Sequence, residues 1–71
     1  MKRTVTIEWE TLVPYKEGRV KGFEKLVGNL GENDPPPTCH LKGPLVRFTL
    51  PRRILIIPCA NLLRFEIEEG T

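Results

Sequence analysis

A small, mainly β domain of about five strands, partly closed as a barrel and carrying one short helix or 3-10 turn, is the fold class this sequence of 71 residues predicts. Three observations predict it. From Pro44 to Glu69 the chain holds three short apolar runs separated by tight breaks, the pattern of a small antiparallel sheet. Near the N-terminus, apolar and polar residues alternate with the period of a half-buried strand. All seven prolines fall at breaks between the runs, where a missing N–H does least damage to a ladder.

In the N-terminal strand Val5, Ile7 and Trp9, continued by Thr11 and Val13, point one way, while Thr4, Thr6, Glu8 and Glu10 point the other. Pro14 closes it, and Lys16-Glu17-Gly18 reads as a loop tip in which Gly18 takes positive φ. Arg19 to Lys21 begin a return strand. Phe23, Leu26, Val27 and Leu30 then fall at i, i+3, i+4 and i+7, with Gly31 placed as a cap, which predicts a short helix. Gly28 weighs against it by roughly 1 kcal/mol relative to alanine, and a strand is the alternative. Glu32 to Thr38, with Pro35, Pro36 and Pro37 in a row, reads as an extended polyproline-like surface loop.

Cys39 to Leu41 form a brief strand that turns through Lys42-Gly43-Pro44 into the C-terminal hairpin. There Val46, Phe48 and Leu50 face inward, and Arg47 and Thr49 outward. Pro51, Arg52 and Arg53 make the next turn. Ile54 to Ile57 are four aliphatics in succession, three of them β-branched, which predicts a central strand covered on both faces and flanked by Arg52, Arg53 and Pro58 as gatekeepers. In the last strand Leu63, Phe65 and Ile67 alternate with Arg64, Glu66 and Glu68. These assignments put Trp9, Phe48, Ile56 and Phe65 in one core cluster.

Ile57-Pro58-Cys59-Ala60-Asn61-Leu62, a strand ending in proline, a one-turn break and an amphipathic final strand, resembles the closing element of SH3-like small barrels. The resemblance covers about a quarter of the chain and implies a five-stranded SH3-like or OB-like partly open barrel. Such barrels host proteins, RNA and DNA alike. The acidic-tyrosine motif and tandem tryptophans of peptide-binding SH3 domains are absent, so recognition of PxxP peptides is not implied.

The length allows one domain, residues 1–71. A domain this small buries only about 60% of the surface its unfolded chain exposes, so it gains from pairing with a copy of itself, and a homo-oligomer is expected. No apolar run approaches a membrane span and the N-terminus enters an alternating strand at once, which predicts a soluble, cytoplasmic protein with no membrane partner. Serine and glutamine are missing and eight glutamates stand against one aspartate, trends found in thermophile proteins.

Chemistry is poorly provided for. Without serine there is no serine nucleophile. Cys39 and His40 are adjacent, and neighbours in extended chain point to opposite faces, so they make a poor nucleophile and base. With Cys59 they lack zinc-site spacing, and no metal or cofactor is expected. Cys39 and Cys59 suit a disulfide if their strands are neighbours. Glu8 with Glu10, and Glu66 with Glu68, read as solvated faces with cross-strand cations such as Arg47 or Arg64 as partners. Gly28 and Gly31 lack the lysine and hydroxyl residue of a phosphate loop. A binding module rather than an enzyme follows.

Two ligand classes fit. The first is another protein or the chain itself, docked through Tyr15, Pro35, Pro36 and Pro37 and an open sheet edge in an interaction or regulatory role. The alternative is a nucleic acid, held by Lys42, Arg47, Arg52, Arg53 and Arg64, with Arg47, Arg53 and Arg64 converging on the wet face or rim of the sheet. A net charge of only +2 and a shortage of exposed rings, Tyr15 and Phe23 alone, rank the protein partner first.

Overall fold

Alternation at the N-terminus outlasts the proline expected to stop it. The computed structural model describes residues 2–70, and its first strand, β1, runs Lys2–Tyr15 through Pro14. A two-residue tip of Lys16 and Glu17 follows, in which Lys16, not Gly18, takes the positive φ of 54°. The chain returns as β2, Gly18–Leu30, in unbroken antiparallel register from Tyr15↔Gly18 to Arg3↔Leu30.

This return strand replaces the helix expected over Phe23 to Leu30. The 3.6-residue spacing is real, but β1 offers thirteen pairing positions, and strand geometry sorts the same residues by parity. Leu26 and Leu30 face inward, whereas Phe23 and Val27 face solvent. Gly28, a liability in a helix, sits harmlessly opposite Val5.

Beyond the loop at 31–37, Thr38–Lys42 form β3, Leu45–Leu50 form β4 and Arg53–Pro58 form β5. A single 3-10 turn, Cys59–Asn61, leads to β6, Leu62–Gly70. The strands make two three-stranded antiparallel sheets, ordered β2-β1-β6 and β3-β4-β5. No ladder joins the two sheets among the described residues, so no closed barrel forms. Among the described residues six strands replace the five expected.

The core lies between the sheets. Val5, Ile7 and Leu30 of the first meet Val46, Phe48, Leu50 and Ile57 of the second, with Trp9, Leu26, Leu55, Cys59, Leu62 and Phe65 packed around them. Phe48 is wholly buried, its ring centroid 4.8 Å from that of Phe65. The expected cluster is therefore right in Trp9, Phe48 and Phe65 and wrong in Ile56, whose place is taken by Ile57. Nor is β5 central. It is an edge strand, and Ile54 and Ile56 are 60% and 58% exposed because none of the described residues covers the outer face of the second sheet.

A bulge corrects the last strand as well. Glu8 pairs with Arg64 but Trp9 pairs with Leu62, so Leu63 is the extra residue and turns outward, while Leu62 joins the inner row. The 3-10 turn ties this corner to both sheets. Asn61 Nδ2 donates to the Glu10 carbonyl at 3.0 Å, and the Cys59 N–H donates to the Pro44 carbonyl at 2.8 Å.

Gly43 and Pro44 form the two-residue link between β3 and β4, with Gly43 at φ 59° and the φ of Pro44 fixed negative by its ring. Glycine first and a negative φ second is the type II′ pattern, whose twist matches paired strands. Gly43→Ala puts a Cβ into left-handed backbone and is expected to cost about 1–2 kcal/mol. In a domain of this size that reads as a drop of roughly 4–16 °C in melting temperature. An unchanged melting temperature would show that the turn relaxes to another geometry.

Candidate functional site

The outer face of the second sheet is built by three cross-strand rows. Thr38, Thr49 and Ile54 form one, His40, Arg47 and Ile56 the next, and Lys42, Leu45 and Pro58 the third. The inner face of β4 is filled by Val46, Phe48 and Leu50, and strand parity therefore fixes Leu45, Arg47 and Thr49 outward. The surface combines the cations Lys42 and Arg47 with the exposed aliphatics Leu45, Ile54 and Ile56. His40, Lys42, Leu45, Arg47 and Ile56 line a shallow cavity of about 180 Å³. That is below the 300–1,000 Å³ of small-molecule sites and suits one inserted side chain.

No carboxylate stands among these nine positions. The sequence carries the reason: from Pro35 to Phe65 there are five lysines and arginines and no aspartate or glutamate. Counting net charge over the whole chain conceals this stretch, and a windowed count reveals it.

The five cations expected to serve a nucleic acid do not share one face. Lys42 and Arg47 lie on the outer second sheet. Arg64 lies on the outer first sheet, where its guanidinium is 3.5 Å from Glu8 and 3.1 Å from Glu66, because β6 crosses over to pair with β1. Arg52 is in the β4–β5 turn, 3.7 Å from Asp34. Arg53 lines an open groove between the edges of β2 and β5, with Trp9 and Glu24. The convergence of Arg47, Arg53 and Arg64 is thus corrected by the separation of the sheets, and the cross-strand cation beside Glu8 is Arg64, not Arg47, while Arg64 also meets Glu66 of its own strand.

The residues expected to dock a protein are also divided. Tyr15 stands at the tip of the β1–β2 ribbon, its ring 5.5 Å from the Lys16 ammonium. Pro35, Pro36 and Pro37 follow the other end of that ribbon, separated from the tip by roughly 40 Å of extended strand. The loop before them is held firmly. Asp34 accepts from the Gly31 N–H at 2.8 Å, and Arg3 donates to the Gly31 and Asp34 carbonyls at 3.2 Å each. Tyr15 and the proline loop therefore cannot grip one small ligand together.

Cys39 is exposed and Cys59 half-buried, and both are free thiols, so the disulfide does not form. Among the described residues no three His, Cys, Asp or Glu side chains gather as a metal site. Among the described residues no helix is long and apolar enough to cross a membrane. Comparison with protein families, with curated proteins and with solved structures finds no match for this chain.

Proposed function

We propose that the protein is a non-enzymatic interaction module whose docking surface is the outer face of β3-β4-β5, and that its partner is a protein segment combining acidic and aliphatic side chains. The observation that carries this reading is the mixture of exposed Leu45, Ile54 and Ile56 with Lys42 and Arg47 on a face free of carboxylates. The cations select an acidic partner and set the encounter rate, while burial of the aliphatics supplies most of the affinity. In this reading the two sheets are the halves of an open SH3-like barrel, supported by the meander of β3, β4 and β5 and by the 3-10 turn before the last strand.

A nucleic acid is the second reading, favoured by the same absence of carboxylates. It is ranked lower because the face presents no Phe, Tyr or Trp for base stacking, the His40 imidazole being its one aromatic ring, and aliphatic side chains gain little from phosphate. The two readings separate on the isoleucines. Capture from a nuclease-treated lysate of the native host is expected to yield a protein whose affinity falls about 10- to 100-fold in Ile54→Ser/Ile56→Ser, the effect of losing one or two buried aliphatic contacts. Lys42→Glu/Arg47→Glu should abolish the same complex. Tight binding to RNA at physiological salt, lost on Arg47→Glu but indifferent to the serine pair, would establish phosphate recognition and overturn the proposal.

A further inference from the structure

The β1–β2 ribbon outruns the sheet to which it belongs. Pairing with β6 ends at Trp9, and from Thr11 to Gly22 the ribbon has only two strands. The molecule is consequently elongated, 47 × 28 × 18 Å, with a radius of gyration of 14.1 Å. About 11 Å is usual for a compact chain of this length. An isolated two-stranded hairpin is marginal in water, so this arm gains from a cover.

Its two faces differ in kind. Continuous with the core row Val5, Ile7, Trp9 is a face made of Thr11, Val13 and Tyr15 opposite Gly22, Val20 and Gly18, without one charged side chain. The opposite face carries Lys21 and Arg19 across from Leu12 and Pro14. A face purged of charge is one patterned for burial, yet Val13, Tyr15 and Val20 are exposed.

The second sheet shows the converse. Leu41 pairs with Val46 and Cys39 with Phe48, so both share the inner face with fully buried neighbours. Even so, Leu41 is 70% exposed and Cys39 is exposed, because β3 projects past the cover that the first sheet supplies. Each chain thus has an inner face of the first sheet lacking a second-sheet layer, and an inner face of the second sheet lacking a first-sheet layer.

We infer that the protein forms a two-fold dimer in which the uncharged face of each β1–β2 arm packs over β3 of the second copy. Each arm completes the sandwich of its partner, and two-fold symmetry makes the contact twice. Size favours reciprocity. Five residues of two strands make a ribbon of roughly 17 × 10 Å, far short of the ~800 Å² that a stable interface takes from each partner. With exchange, each copy contributes both an arm and a β3 face, which doubles what either contact gives alone. A Cβ at Gly18 would meet nothing within 4 Å, which leaves bare backbone open to the close approach of a second layer. The outer face of β3-β4-β5 takes no part, so this dimer stands or falls apart from the proposed docking function.

Sedimentation at micromolar concentration is expected to give twice the chain mass of 8.1 kDa. Val13→Lys/Val20→Lys should raise the dimer dissociation constant at least about 100-fold with circular dichroism unchanged, since both side chains lie at the surface of the single chain. Leu12→Lys/Phe23→Lys, on the opposite face, and Lys42→Glu/Arg47→Glu should leave the dimer intact. A second measurement does not depend on the lysine variant folding. In a Cys59→Ala background, Val13→Cys with oxidised glutathione as the electron acceptor should yield a covalent dimer through Cys39 of the second copy, abolished by Cys39→Ala. A monomer mass throughout, a dimer that survives Val13→Lys/Val20→Lys, or a crosslink indifferent to Cys39→Ala overturns the inference.

Discussion

Phe48→Ala is expected to leave the chain largely unfolded at room temperature. Phe48 is wholly enclosed at the centre of β4, the middle strand of its sheet, and stands opposite Leu55 on one side and Cys39 on the other. Its ring reaches across the core to Phe65 at 4.8 Å, so truncation removes both a large buried side chain and one of the contacts that join the two sheets. Such truncations cost about 3–5 kcal/mol, and a single core in a domain this small supplies about the same. Urea titration followed by tryptophan fluorescence reads the result directly, because Trp9 packs against the same core. A folding midpoint like that of the wild type would mean that the sheets are held together elsewhere.

The second large effect is a contrast between neighbours. Ile57→Ala should destabilise by about 2–5 kcal/mol, whereas Ile56→Ala should change stability by no more than about 0.5 kcal/mol. Ile57 pairs with Val46 inside the core and is 1% exposed, while Ile56 pairs with Arg47 on the solvent side. The two substitutions delete the same atoms one residue apart, so the difference isolates the register of β5. Equal losses would place both faces of that strand under cover. Ile56→Ala has a separate use as a folded variant for the binding experiments, since it removes an aliphatic from the proposed docking face alone.

Much of this architecture is legible in the chain. Strict alternation at Val5, Ile7 and Trp9, and at Val46, Phe48 and Leu50, identifies the two rows that become the central strands, because period two with one charged face has no helical solution. The turn at Gly43-Pro44 and the 3-10 turn after Pro58 are legible for the same local reason, that proline and glycine restrict the backbone whatever surrounds them. The cation-rich, carboxylate-free stretch that makes the candidate surface is also written in the sequence, though only a windowed reading finds it.

Three matters lay beyond local pattern. Phe23, Leu26, Val27 and Leu30 satisfy a helical period as well as strand parity, and the ladder offered by β1 decided between them. Ile54 to Ile57 are apolar enough for a central strand, but whether a sheet face is covered depends on what packs there, and here none of the described residues does. Arg47 and Arg64 look equivalent in sequence and stand on different sheets, because the 3-10 turn carries β6 away to pair with β1. Alternation by itself determined which residues of each strand share a face, since that follows from bond geometry within a few residues. Which faces meet, which strands stand at the edge and which cations share a surface were decided by tertiary structure alone, because they depend on pairings between segments far apart in the chain.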